Sequence, residues 1–251
     1  MIKFFKILYY KLLKQQTRKL KIIVYTANSG AYDSLRTHSY LSKQFDYICY
    51  TDTKVKGLHG WEIRPMKEFD NKDSVRKARL YKILPHKLFP EYDYSIWVDA
   101  NWDVIGNSLE KKVLELIKKD SVLAFCPHPD RNCVYDECQA VVDLNKDSRK
   151  IVDKQKKFLK EENYPRSNGL YASGFIFRKH NDRKIKAIME DWWEQIQKFS
   201  RRDQLSLNYV LWKNNFNNVD LLFPKNNTPL DGNKDFKKFN HNYKSKIYNC
   251  D

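Results

Sequence analysis

The stretch Tyr94-Ser-Ile-Trp-Val-Asp-Ala-Asn-Trp-Asp-Val104 is apolar up to Val98 and then turns abruptly to oxygen-bearing side chains at Asp99, Asn101 and Asp103. A short apolar run of this kind fits a strand buried on both faces. Asp99 then emerges at the strand's carboxyl end, where open α/β sheets bind ligands. In an extended chain, positions 99, 101 and 103 share one side, which brings two carboxylates and an amide oxygen towards one locus. Hard oxygen ligands suit magnesium or manganese, which keep waters and take substrate phosphates in the remaining positions. Asp and Asn also build polar turns after strands, and spacing alone leaves that second reading open.

Upstream, Lys21 to Ala27 is β-branched and opens into an Asn28-Ser29-Gly30 turn, as expected of a first strand. Loops in that position bind nucleotides in many α/β folds, which makes Ala27 and Asn28 candidates for such a contact. Asp46 to Thr51 and Trp61 to Met66 read as two further strands, joined by the polar Lys54 to Gly60 connection. Asp73 to Phe89 reads as mainly helical, with Asp73 or Ser74 as N-cap and a kink or break at Pro85. Its basic residues Arg76, Lys77, Arg79 and Lys82 recur at spacings that put several on one face, either solvated or aimed at phosphate.

Downstream, Ser108 to Lys119 is an amphipathic helix capped by Ser108, with Leu109, Val113, Leu116 and Ile117 as its buried stripe. Ser121 to Cys126 returns as an apolar strand, and this alternation of strands and helices implies a mostly parallel sheet. Val134 to Glu162 is polar with a helical pattern, and Tyr171 to Arg178 is a strand. Asn181 to Phe199 is a capped helix carrying Trp192 and Trp193. Adjacent helical positions point about 100° apart, so one tryptophan is expected in the core and the other could stack on a ring. Arg201-Arg202-Asp203-Gln204 leads into a buried helix over Leu205 to Lys213. An acid at a helix start can be no more than a cap for free backbone N–H groups. No linker or internal repeat divides residues 21–251, which read as one α/β domain behind a distinct segment at 1–20.

Four stretches in this order, KIIVYTANSGAYD at 21–33, KARLYKILPHKLFPEYDYSIWVDANWDV at 77–104, GLYASGFIFRKHND at 169–182 and RRDQLSLNYVLWK at 201–213, resemble the glycosyltransferase-like domain named after the plant TOD and MUCI proteins. The resemblance covers roughly Lys21 to Lys213. It implies a glycosyltransferase-A type fold, a single Rossmann-like domain with a mostly parallel central sheet flanked by helices. It also implies a nucleotide-sugar donor, a UDP-sugar foremost, and a divalent metal, manganese or magnesium. On this resemblance Arg79 and Lys82 contact the donor diphosphate, while Asp99, Ala100 and Asn101 lie against donor and metal. Asp99, Asn101, Asp103 and a histidine near the C-terminus, His241, form the metal set. Asp203 acts near the acceptor as base or by positioning, and Gln204 binds a sugar hydroxyl. Ala172 departs from an acidic residue expected at that position, which puts any acceptor or catalytic role there in doubt.

The reaction expected is transfer of a sugar to a hydroxyl acceptor, a glycan or glycolipid, in surface polysaccharide or glycolipid synthesis. The rival is a non-catalytic basic module on the same fold that binds membrane or polymer. With 251 residues, 41% hydrophobic and 14% aromatic, the chain can bury a large core. Lys+Arg 47 against Asp+Glu 31 gives a net charge of +16, which attracts anions over long range. Nucleic acid is not expected as a partner, because no helix-turn-helix, zinc-finger or RNP-like pattern is present. Residues 1–20 form a basic amphipathic pattern, with Phe5, Leu8, Tyr9, Leu12 and Leu13 opposite Lys3, Lys6 and Lys14. Such a helix can lie on an anionic membrane surface or pack on its own domain. The expected location is the cytoplasm, peripheral to the inner face of the membrane. Cys49, Cys126, Cys133, Cys138 and Cys250 are spaced unlike a disulfide framework or a paired Cys-x-x-Cys zinc site, so reduced thiols are expected.

Overall fold

Tyr94–Val98 lies at the centre of a seven-stranded sheet in a computed structural model that describes residues 20–55, 58–67 and 73–241. The strands are β1 (Ile22–Asn28), β2 (Asp46–Thr51), β3 (Glu62–Pro65), β4 (Tyr94–Val98), β5 (Trp102–Val104), β6 (Leu123–Pro127), β7 (Tyr171–Arg178), β8 (Asp220–Leu221) and β9 (Phe236–Lys238). The large sheet runs β3-β2-β1-β4-β7-β6-β8, and β5 pairs with β9 in a small second sheet. Neighbours from β3 to β4 are parallel, as are β6 and β8; β7 is antiparallel to both β4 and β6. All residues of β1 and β4 are buried, which accounts for their mainly apolar character.

The helices are α1 (Ser74–Ile83), α2 (Pro85–Leu88), α3 (Ser108–Lys118), α4 (Val134–Asp143), α5 (Arg149–Glu161), α6 (Arg183–Lys198) and α7 (Gln204–Lys213). One face of the sheet, with Ile23, Tyr25, Trp97, Phe125 and Ile176, packs on α1, α4, α6 and α7 through Tyr81, Val141, Trp192 and Leu207. The opposite face, with Val24, Ile96, Val98 and Phe177, packs on Leu109, Val113 and Leu116 of α3 and on Phe236. Trp192 and Trp193 are both buried, so neither is left to stack on a ligand.

The starts of α1 and α6 follow the local chemistry, and that of α3 does not. Asp73 caps α1 by accepting from the N–H groups of Val75 and Arg76, and Asp182 caps α6 in the same way. Pro85 divides the expected single helix into α1 and α2 because it cannot donate into the preceding turn. Ser108 does not cap α3 but is its first residue; Asp235 Oδ2 accepts from the Ser108 N–H at 2.9 Å. That cap comes from far along the chain. A Cβ on Gly106 would lie 2.3 Å from Asp235 Cγ, so glycine is needed there for the carboxylate to reach the helix.

The run 94–104 is not one extended strand. The Trp102 N–H donates to the Asp99 carbonyl at 3.1 Å, closing a turn, and β5 then leaves for the second sheet. The expected alternation of residues 99, 101 and 103 on one side fails for that reason. All but Leu20 of the helix expected over residues 1–20 lies outside the described residues. Among the described residues, no helix is long and apolar enough to cross a membrane.

Candidate functional site

The carboxyl ends of β1 and β4 open into a cavity of about 200 Å³. Ala27, Asn28, Arg79, Lys82, Asp99, Ala100, Asn101, Asp203, Gln204 and His241, ten of the residues singled out from the sequence, line it. Asp103 does not. Its two carboxylate oxygens accept from Ser39 N and Ser39 Oγ, each at 2.7 Å, so the turn at Asp99 has carried it to the other side of the strand. The metal set expected from spacing therefore loses Asp103.

The basic residues of α1 divide by helical face. Arg76 bonds Asp73 and the carbonyls of Ile196 and Phe199, and Lys77 pairs with Asp52 at 2.9 Å. Those two hold the fold together. Arg79 and Lys82, three residues apart, face the cavity and converge on Asp203 Oδ2 at 3.2 and 2.7 Å. Lys82 also reaches Asp99 Oδ1 at 3.2 Å and Ser173 Oγ at 3.2 Å. Ser173 in turn donates to Asp203 Oδ2 at 3.0 Å.

Asp203 is the N-cap residue of α7, yet its side chain makes no capping bond and its backbone is already helical. The carboxylate faces the cations instead. Burial opposes its charge, but Arg79 and Lys82 outweigh burial and hold its carboxyl well below the usual carboxylate range. A carboxylate held so firmly ionised is a weak proton acceptor, which argues against the expected role as base. Burial pushes the Lys82 ammonium down against the pull of Asp203 and Asp99. For Arg79, Asp203 and Asp99 together outweigh burial and raise the guanidinium.

Asp99 lines the cavity with its side chain one-third exposed. Its Oδ1 accepts from Trp97 Nε1 at 2.6 Å and from Lys82, while Oδ2 faces Gly174, where a Cβ would come within 3.4 Å. The absence of a side chain at Gly174 keeps the space over Oδ2 open. Asn101 is tied to the C-terminal segment: its Nδ2 donates to Phe239 O at 3.0 Å and its carbonyl accepts from Phe239 N at 2.8 Å. Two residues further, His241 Nδ1 bonds Asp33 Oδ1 at 2.6 Å and its ring lies 4.6 Å from that of Tyr32. A proton on Nδ1 leaves the Nε2 lone pair for a cation, the arrangement usual for a metal-binding imidazole backed by a carboxylate. Among the described residues, no three His, Cys, Asp or Glu side chains converge to hold a metal ion by themselves. Magnesium is commonly held by one or two protein groups and completed by phosphate oxygens and water, so Asp99 Oδ2 and His241 Nε2 fit a divalent cation of that kind.

Asn28 serves its own loop, donating to Asp33 O at 2.7 Å and accepting from Asp33 N at 3.1 Å. Gln204 Oε1 accepts from Arg202 at 3.4 Å. Ala172 lies buried on β7 at the cavity wall, where an acid was expected. Sequence reasoning missed Ser173, Tyr32, Asp33, Lys146 and Lys238, all of which line the cavity. The small run Ala172-Ser-Gly174 inside an otherwise bulky strand is the one local sign that something approaches β7 closely. Nothing local marks the others. Cys126 also lines the cavity, and burial pushes its thiol up to about 12, so it stays protonated.

Six lysine and arginine side chains line the cavity, Arg79, Lys82, Lys146, Arg201, Arg202 and Lys238, against the carboxylates of Asp33, Asp99 and Asp203. An α/β domain with such a cleft beyond its parallel strands is built to receive an anionic ligand. The chain belongs to the TOD1/MUCI70 family of glycosyltransferase-like domains, whose model matches residues 11–228. The α/β architecture expected from the resemblance, a mostly parallel central sheet between helices, is the one found. Among curated proteins, the chain is 24% identical over 215 residues to the "Probable hexosyltransferase MUCI70" of Arabidopsis thaliana. That match covers 75% of this chain and 37% of the relative, so the chain spans little more than a third of the relative's length. Among solved structures, the apo WbbM bifunctional glycosyltransferase matches 82% of this chain and 39% of its own, with 10% identity and a TM-score of 0.46. Apo mouse xyloside xylosyltransferase 1 matches 80% of this chain and 84% of its own, with 7% identity and a TM-score of 0.45.

Proposed function

We propose that this glycosyltransferase-like domain transfers a hexose from a nucleoside-diphosphate donor, UDP foremost, to a hydroxyl of a glycan or glycolipid acceptor. The observation that carries this reading is the convergence of Arg79, Lys82 and Asp99 at the carboxyl ends of the strands, in a cleft with more cations than carboxylates. The hexose is taken from the description of the plant relative.

In the reaction the bond from the anomeric carbon to the diphosphate oxygen breaks as the acceptor oxygen bonds to that carbon, and the acceptor's hydroxyl proton passes to the departing diphosphate or to water. Negative charge then grows on the departing diphosphate, and groups fixed in advance against that charge lower the barrier. Arg79 and Lys82 are so fixed, because Asp203 holds both from within the protein. Asp203 thereby positions cations instead of accepting a proton. Asp99 and His241 would hold a manganese or magnesium ion, which when bound supplies Lewis-acid compensation of phosphate charge. Gln204, at the start of α7, offers its amide N–H groups to a sugar hydroxyl. The net charge of +16 supports an acceptor that is anionic or lies at an anionic surface, as in polysaccharide or glycolipid synthesis on the cytoplasmic face of a membrane.

A thermal-shift panel of UDP, GDP, CDP and ADP, each with and without manganese, tests the reading, since a ligand of the native state raises its apparent stability. One diphosphate should stand out and do so more with manganese. No shift with any of the four would leave the non-catalytic reading in its place.

A further inference from the structure

Arg178 is fully buried and, among the described residues, makes no ion pair with a carboxylate. Leaving a guanidinium in that position is costly unless its donors are met by other means. Its two terminal nitrogens are met around one carbonyl, Nη1 also touching Met189 Sδ at 3.5 Å, while Nε finds no partner among the described residues. Arg178 Nη1 donates to the Lys82 carbonyl at 2.8 Å, Nη2 bonds the Tyr25 hydroxyl, and the Tyr25 hydroxyl donates to the same Lys82 carbonyl at 2.8 Å. Lys82 lies in the last turn of α1, whose free carbonyls carry the negative end of the helix dipole and favour a cation there.

The same tyrosine reaches the second arm of the site. Its ring meets Trp97 edge-on, with centroids 5.2 Å apart and planes at 75°, and Trp97 Nε1 holds Asp99 Oδ1 at 2.6 Å. Arg178 ends β7, the strand that also carries Ser173 and Gly174 against Asp203 and Asp99. Two buried side chains from β1 and β7 thus grip the backbone of the residue whose ammonium sits between both acids.

The geometry points to Tyr25 and Arg178 as positioning residues that act through Lys82: they clamp its carbonyl so that its ammonium stands ready for the donor diphosphate. The inference rests on the transferase reading above. Neither residue touches the cavity, and neither was marked by the sequence pattern. A helix end held only by its own last turn would leave the long lysine side chain to find its place among several rotamers. The clamp removes that freedom before the ligand arrives.

A double-mutant cycle tests the clamp, with calorimetric binding of UDP plus manganese as the readout and whichever diphosphate stands out in the panel in its place if UDP does not bind. Tyr25→Phe keeps the ring against Trp97 and removes only the hydroxyl. It should weaken binding on the order of fivefold or more in the native background and by less than twofold when combined with Lys82→Gln. Arg178→Met should behave alike, with Arg178→Lys recovering part of the loss. If Arg178→Met does not fold, the Tyr25→Phe cycle decides alone. Equal losses in both backgrounds, or no loss in either, overturn the clamp while leaving the donor reading intact. A Lys82→Gln chain that binds as tightly as the native one also overturns it. A native chain that binds none of the four diphosphates takes the donor reading and the clamp down together.

Discussion

Lys82 Nζ lies 2.7 Å from Asp203 Oδ2, and the two side chains are 1% and 2% exposed, so each charge is buried against the other. Removing one partner of such a pair strands the other in a medium that cannot solvate it, which typically costs about 3–5 kcal/mol. Asp203→Asn should therefore lower the urea midpoint strongly, because Arg79 loses its paired carboxylate and Lys82 is left with Asp99 alone. Its effect as a cap is nil, since the native side chain makes no capping bond. An Asp203→Asn protein with native stability would show that the pair contributes nothing net.

Asp99 and Asp103 stand four residues apart and should behave as opposites. Asp99→Ala should abolish the manganese-dependent part of nucleoside-diphosphate binding and leave the melting temperature nearly unchanged, because its side chain is 33% exposed and faces the cleft. Asp103→Ala should leave binding within about twofold and lower stability by about 1 kcal/mol through the lost Ser39 bonds. Titrating UDP against both variants with and without manganese checks the contrast; a metal effect lost in Asp103→Ala instead would reverse the assignment.

Gly106→Ala is a stability prediction remote from the site. The new Cβ displaces the Asp235 carboxylate, which then releases the Ser108 N–H and leaves α3 uncapped. A lost cap is worth about 1 kcal/mol, read as a lower denaturation midpoint with UDP affinity unchanged. Asp235→Ala should give a similar loss. A native midpoint in Asp235→Ala would mean that the long-range cap adds nothing.

Acid should destabilise the fold through two buried imidazoles. Burial lowers both His38 and His180 from 6.5 to about 4. The unfolded chain therefore binds more protons than the native one between these values, so their contribution is present above pH 6.5 and is lost as pH falls towards 4. His38 Nδ1 accepts from the Val104 N–H and loses that capacity when protonated. The melting temperature should fall through this window, and His38→Gln should flatten the slope. A slope that is the same in His38→Gln as in the native protein would rule out His38 as a source.

The sequence by itself determined β1 to β4, β6, β7 and most helices in their order, but carried no sign of β8, β9 or the break between α4 and α5. Apolar continuity fixed β1 and β4, the Asp73 and Asp182 caps fixed where α1 and α6 begin, and Pro85 fixed where α1 ends. These are local effects, expressed within a few residues, and period and capping report them directly. The sequence also placed Asp99 at a strand end, a position that together with the family resemblance marked the cleft.

Tertiary structure decided which of the marked residues meet. One turn at Asp99 sent Asp103 to the far side, a geometry that alternation in the sequence cannot reveal. The four bases of α1 are equivalent in pattern, but packing against α6 and the loop at Asp52 claimed Arg76 and Lys77 and left Arg79 and Lys82 for the cleft. Asp203 has the sequence of a cap and the surroundings of a buried counter-ion, because Lys82, 121 positions earlier, is folded against it. Burial and charge pairing act between residues far apart in the chain, and only the folded protein brings them within range of one another.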